Sequence, residues 1–323
     1  MKLCQPLAYL CCLAVLASPA VLTAETITFT APGLDRWNYP FAGNGSEIEA
    51  PIFSALGEEG LDERDGQFIV AYDSVNGGSG SVPAGLGAAN YQIASVKLVA
   101  TVSSVSGTPV YDGTYDSVAT YLKDTAARYV ADSDAGRPIE LFGAGFVAGY
   151  SSFAFGVTTD NVPPAYEENN PRGFGPPTGR YVRPISFGAN GDPISVANSV
   201  DYLNDGAAGF ESSPFAVGVS SLAPGANLVA GTELTFDVDL SNPAILEYLQ
   251  SGLDKGQLGF VFSTLGLSDN YSRLLAKEFT GGNPVRLELD VTAVPEPSSL
   301  SLLAVTFVAL GGVVWSQLRR RPA

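Results

Sequence analysis

The sequence predicts an all-β fold: a jelly-roll-like β-sandwich with one or two short helices, flanked by an N-terminal signal peptide and a C-terminal transmembrane helix. Three observations carry this expectation. Two segments alternate strictly between apolar and polar side chains, turn-forming dipeptides recur between short apolar runs, and the longest apolar stretches lie near the two ends of the 323-residue chain.

The first element is "MKLCQPLAYLCCLAVLASPAVLTA", residues 1–24. One lysine, an apolar run and a small-residue border are the layout of a secretory signal peptide. Cleavage after Ala24 is favoured over Ala20, and an uncleaved membrane helix is the alternative. Cys11 and Cys12 lie too early for a lipoprotein box. All three cysteines fall inside this segment, so the body beyond it has none. Export permits disulfides, yet this body must hold together by its core alone, which roughly 270 residues allow.

The body, 25–293, reads as strands. In "TELTFDVDL" Leu234, Phe236, Val238 and Leu240 share one face, with Glu233, Thr235, Asp237 and Asp239 on the other. "VRLELDV" repeats the pattern from Val285 to Val291. Such alternation fits strands with one buried and one wet face. Further strands are expected at 25–30, 67–73, 91–102, 139–146, 151–157, 180–187, 215–220 and 256–265. Asn76-Gly77, Asp112-Gly113 and Asn190-Gly191 separate several of them. About ten strands with little helix favour a sandwich over other classes.

Helix is expected in "SNPAILEYLQSGL", where Asn242 suits the N-cap and Pro243 the first helical position. Residues 116–130 suit a second short helix or a loop. The proline-rich stretch 158–179 has no periodicity and is expected to be a long surface loop.

Charge and composition narrow the function. Setting aside Lys2, Glu296, Arg319, Arg320 and Arg321 leaves 13 basic and 32 acidic side chains, a net charge of about −19. Such a surface repels nucleic acid and anionic headgroups, so no nucleic-acid partner is expected. The chain contains no histidine, which removes Ser-His-Asp and Cys-His catalysis and His-type zinc sites. No phosphate-cradling glycine motif is present. The expectation is therefore a protein that is not an enzyme. Carboxylates alone leave a glycan hydrolase as the weaker alternative, and "YEEN" (166–169) and "LDERD" (61–65) are read as solvated loops.

Two binding readings stay open beside this. "DSDAG" places Asp132 and Asp134 two apart before Gly136, with Asp112 and Asp116 about twenty residues earlier. Ca²⁺ takes six to eight oxygens, so Asp132 and Asp134 are candidate ligands and Ca²⁺ the one candidate cofactor, although the stretch is no EF-hand loop. Trp37 and Tyr39 in "DRWNYPF" are candidate glycan contacts, and Pro40 confines that segment to an edge or loop.

The stretch "DGQFIVAYDSVNGGSGSVPAGLGAANYQIASVKLVATV" (65–102) runs a strand ending in Asp into a Pro-Ala-Gly turn and then "SVKL". It resembles the opening of bacterial surface sandwich domains of the DNRLRE type, which are themselves similar to carbohydrate-binding modules. The resemblance implies a glycan-facing sandwich.

The chain closes on "VPEPSSLSLLAVTFVALGGVVWSQLRRRPA". Leu300 to Leu318 holds few polar residues and would extend about 28 Å as a helix, enough to span a bilayer. Arg319, Arg320 and Arg321 place that end in the cytoplasm and the body outside. The order Val294-Pro295-Glu296-Pro297, a single apolar helix, then a basic cluster resembles the PEP-CTERM sorting signal. The resemblance covers 294–323, with the motif at 294–299, the helix at 300–318 and the basic tail at 319–321. It implies recognition by an exosortase, a membrane transpeptidase, and processing near Pro295–Pro297. The protein is then expected to pass through the inner membrane to the cell surface or extracellular space. A structural or adhesive role in extracellular polymer or biofilm is expected, with carbohydrate binding as the alternative and extracellular polysaccharide as a partner.

Overall fold

The structure is a computed structural model, and it describes residues 24–39, 47–54, 65–121, 127, 129–156, 163–168, 181–187, 193–195, 213–264, 266 and 269–294. Residues 1–23 of the expected signal peptide, all of the tail beyond Val294, and residues 61–64 lie outside the described residues. Among the described residues, no helix is long and apolar enough to cross a membrane.

The chain is mostly β, as expected. In order its strands are β1 (Glu25–Phe29), β2 (Leu34–Asn38), β3 (Glu49–Ile52), β4 (Gln67–Asp73), β5 (Tyr91–Ser106), β6 (Glu140–Phe146), β7 (Ser152–Phe153), β8 (Ala165–Tyr166), β9 (Val182–Phe187), β10 (Pro193–Ser195), β11 (Ala216–Val217), β12 (Glu233–Asp237), β13 (Gln257–Ser263), β14 (Tyr271–Leu275) and β15 (Arg286–Ala293). One α-helix, α1 (Pro243–Asp254), precedes β13.

Two antiparallel sheets form. The first runs β1-β15-β5-β14-β3, with β12 also on β5. The second runs β10-β9-β6-β13-β4-β2, with β11 also on β6. β5 is the longest strand because "YQIASVKLVATVSSVS" carries β-branched residues almost without a breaker. It pairs with β12, β14 and β15, and the register shifts against β14 and β15 let one long strand bend. The sheets share one core. Leu98, Ala100, Phe236, Leu287 and Leu289 from the first meet Phe68, Val70, Phe260 and Phe262 from the second.

The second sheet is also covered on its outer face. Leu34, Ile69, Ala71, Ala144, Val182 and Val261 point away from the main core and meet Tyr150, Phe153 and Tyr166 in a separate apolar cluster. This explains why "QFIVAYD" and "QLGFVFS" are nearly all buried instead of alternating. It also changes the reading of the proline-rich loop. Within it, β8 pairs in parallel with β7, after a cis Pro163–Pro164 bond, and Tyr166 is fully buried. "YEEN" is likewise no solvated loop: Glu167 is buried with Tyr166.

The helix follows its sequence signals. The Asn242 side chain accepts a hydrogen bond from the Ala244 N–H at 3.0 Å, Pro243 opens the helix, and Ile245, Leu249 and Leu253 form its buried stripe. The second expected helix is present only as a 3₁₀ turn, Val118–Tyr121; most of 122–128 lies outside the described residues. β2, β3, β8, β10 and β14 were not foreseen. Each is five residues or fewer, too short for a period to declare itself.

The buried Tyr166 hydroxyl has no partner among the described residues, which costs about 1–3 kcal/mol. Tyr166→Phe should therefore raise the urea midpoint, whereas Tyr166→Ala should lower stability by about 3–5 kcal/mol. Loss of stability in Tyr166→Phe would show that the outer layer is not packed as described.

Candidate metal centre

The loop after β5 carries the first half of an acidic cluster. Its backbone is pinned to residues 220–227: Tyr111 N–H donates to Ala226 O at 2.7 Å, Gly225 N–H donates to Tyr111 O at 3.0 Å, and the Tyr111 hydroxyl accepts from Ser220 N–H at 2.9 Å. Asp112 follows directly. Its Oδ1 accepts from both the N–H and hydroxyl of Thr114, at 2.8 and 2.6 Å, while its buried Oδ2 has no partner among the described residues.

The second half comes from "DSDAG". Gly136 sits at φ 108°, and a Cβ there would lie 2.7 Å from Val110 O and 3.2 Å from Asp112 Cβ. Only glycine allows both the positive φ and this approach, and the approach brings Asp134 beside the β5 loop. Carboxylate oxygens of Asp112, Asp116 and Asp134 lie within 4.8 Å of one another. The Thr114 hydroxyl lies 3.2 Å from Asp134 Oδ2.

The expected ligands divide. Asp134 joins the cluster; Asp132 turns to Arg137, whose Nη1 lies 2.7 Å from Asp132 Oδ2 and 3.0 Å from Asp116 Oδ2. Asp112 and Asp116, noted only as near in sequence, supply the other two members. Glu140 was missed. It opens β6, is buried, and has Oε1 unpartnered among the described residues. Burial pushes its carboxyl up to about 8, and the charges of Asp116 and Asp112 add to the shift. Burial likewise raises Asp116 to about 6, against the pull of Arg137. The available signal was a carboxylate in phase with Phe142 and Ala144 on a strand otherwise apolar.

Arg137 thus pairs with Asp116 and Asp132, while Asp112 and Asp134 share the cluster with Asp116. The donors are all oxygen, which suits a hard cation and not a soft one. Oxygens bound to Ca²⁺ lie about 2.3–2.6 Å from it, so no two are separated by more than about 5.2 Å. The three Asp oxygens meet that limit, and carbonyls and water would complete the shell.

A second acidic group has its own cation. Lys277 N–H donates to Asp35 Oδ2 at 2.7 Å, and Lys277 Nζ contacts Asp35 Oδ1 at 3.3 Å, Glu278 Oε1 at 3.0 Å, and Glu168 Oε2. Arg36 Nη1 donates to Glu168 O at 2.6 Å. This group ties the outer layer, through Glu168, to β2 and to the turn after β14.

Trp37 and Tyr39 lie at an edge. Trp37 is on β2, its Nε1 donates to Pro51 O at 2.9 Å, and its ring stacks on Tyr39 at 4.7 Å and 8°. Tyr39 meets Phe53, Phe53 meets Tyr271, and Arg273 lies 4.9 Å over Tyr271. The two candidate rings thus use facing surfaces on each other. Of the expected sorting residues only Val294 is described; its N–H donates to Asn90 O at 2.8 Å. Pro295, Glu296, Pro297 and the three arginines lie outside the described residues.

Compared with known proteins, the chain matches no family model and no curated relative.

The Lys277 group sets a pH dependence. Burial pushes Asp35 up to about 7; Lys277 opposes the shift, and Glu278 and Glu168 reinforce it. In the unfolded chain the same carboxyl titrates near 3.9. The folded state therefore binds the proton more tightly, and this contribution is full below about pH 4 and lost as pH rises through about 7. Measured from pH 5 to 8, the stability of the native protein should fall relative to Asp35→Asn by at least about 1 kcal/mol. A constant difference across that range would refute the assignment.

Proposed function

We propose that this is an exported surface protein: a jelly-roll-like β-sandwich that binds Ca²⁺ and serves a structural or adhesive role in extracellular polymer. One observation carries the metal reading. Asp112, Asp116 and Asp134 converge within 4.8 Å, Asp112 Oδ2 is buried there without a partner among the described residues, and the likewise unpartnered Glu140 is near enough to feel the charges of Asp116 and Asp112. Unpaired buried carboxylate oxygens are costly, and a divalent cation satisfies several at once. A body without cysteine gains from such a clamp what a disulfide would otherwise give. The clamp joins the loop after β5 to the start of β6.

Export and sorting rest on the two ends of the sequence. In this reading an exosortase recognises Val294, Pro295, Glu296 and Pro297 while the apolar helix and Arg319, Arg320 and Arg321 hold the substrate in the inner membrane. β15 supports it: sheet pairing runs to Ala293 opposite Tyr91, and Val294, whose N–H donates to Asn90 O, brings the folded body up to the first proline of the motif. Two prolines then keep it extended. The likeness of 65–102 to surface sandwich domains points to the same destination.

Thermal unfolding of the purified full-length protein in detergent tests the metal. Ca²⁺ at a hundredfold over Kd should add about 2.7 kcal/mol, and Asp134→Asn with Glu140→Gln should abolish the gain. An unchanged Tm at millimolar Ca²⁺ would sink the metal reading. For sorting, mass spectrometry of the mature protein from its host should find a C-terminus near Pro295–Pro297. An intact tail to Ala323 on the surface protein would restore a plain anchor.

A further inference from the structure

A cleft of about 400 Å³ opens where β6 and β13 part, bordered by α1, β6, β7, β9 and β13 and lined by side chains from both faces of the second sheet. Strand pairing explains its position. β6 pairs with β13 only as far as Gly143–Phe260, then pairs with β9 from Gly143 to Phe146. Where β6 and β13 part, the Tyr248 hydroxyl from α1 replaces the missing ladder bonds. It accepts from Ala144 N–H at 2.8 Å and donates to Gly259 O at 2.6 Å. Gly259 has no room for a side chain, because a Cβ would lie 2.3 Å from Phe153. Among the described residues the gap stays open along one side.

The lining has two characters. Phe146, Phe187 and Ile185 present apolar surface, and all three are only half-buried. Around them stand Glu247, Lys255 and Gln257. The Glu247 carboxylate and Lys255 ammonium, both on exposed residues, have no hydrogen-bond or ion-pair partner among the described residues. Gln257 uses its Oε1 to accept from Phe153 N–H at 2.8 Å, which fixes the amide and turns its N–H groups elsewhere. A ligand here meets ring faces and hydrogen-bonding groups of both kinds, with the two charges cancelling.

From this arrangement we infer that the cleft binds a neutral polysaccharide. Sugar rings offer C–H faces to aromatic side chains and hydroxyls that both donate and accept, which matches carboxylate and ammonium together. Anionic polymers are disfavoured by the charge of −16 on the chain. The volume is within the range of small-ligand sites and suits roughly one or two sugar rings. The open side lets a longer chain pass through. This places glycan contact at Phe146, Phe187, Glu247 and Lys255, away from the Trp37–Tyr39 stack, and it shares no residue with the acidic cluster.

The test is saturation-transfer NMR on the full-length protein, in a detergent without a sugar headgroup. The probes are cellotetraose, mannotetraose, maltotetraose and xylotetraose, each with Ca²⁺ and with chelator. Transfer to at least one tetraose is expected under both conditions, so failure of the Ca²⁺ reading leaves this result intact. The Glu247→Gln/Lys255→Ala variant changes only exposed groups, and Phe146→Leu keeps the site apolar while removing the ring that packs on Phe153. Each should weaken binding at least about tenfold, with Tm unchanged in the first and the protein still folded, at a slightly lower Tm, in the second. Absence of transfer to all four sugars would overturn the proposal, as would binding that these variants leave intact. Loss of binding in Trp37→Ala alone would also overturn it, by moving the contact to the aromatic edge.

Discussion

Burial of the second sheet on both faces governs most of the architecture. β4 and β13 lie between the main core and the outer cluster of Tyr150, Phe153 and Tyr166, so neither strand offers a wet face. An apolar outer face exposed over that area would invite association. The segment around β7 and β8 covers it, and the Lys277 group fastens the far end of that cover through Glu168. Where the cover ends and β6 turns away from β13, α1 closes part of the opening with Tyr248. What remains is the cleft.

The acidic surface leads to two local solutions. At Asp35, Glu168 and Glu278 the chain supplies its own cation, and the three carboxylates converge on Lys277 Nζ. At Asp112, Asp116 and Asp134 the nearest cation, Arg137, reaches Asp116 and Asp132. Asp112 Oδ2 and Glu140 Oε1 are left over among the described residues. Two clusters of similar composition therefore differ in what they require. The first is centred on a lysine that contacts all three carboxylates, although Glu278 Oε2 is left over there; the second is the cluster for which we propose a cation from solution.

Much of the β framework was legible. Alternation in "TELTFDVDL" and "VRLELDV" located β12 and β15, and Asn242-Pro243 located α1, because period and capping are local properties. The aspartates of the candidate site were legible as chemistry but not as an assembly. Asp132 and Asp134 look equivalent in sequence, yet Gly136 turns the chain so that one reaches the cluster and the other reaches Arg137. Glu140 was hidden because a single carboxylate at the head of an apolar strand reads as its solvated end. Glu167 and Glu168 were hidden for the converse reason: a proline-rich stretch without period reads as surface loop, and only packing against the second sheet shows otherwise.

By itself the sequence determined the class of the fold, the strong negative charge, and the lack of cysteine and histidine in the body. These follow from composition and from patterns within a few residues. Tertiary structure decided which strands are buried twice, which carboxylates share a cation, and where a cleft is left open. Each of those depends on contacts between segments far apart in the chain, such as Asp35 with Lys277 or Ala144 with Tyr248. No local period encodes such contacts, because they exist only once the sheets have paired and packed.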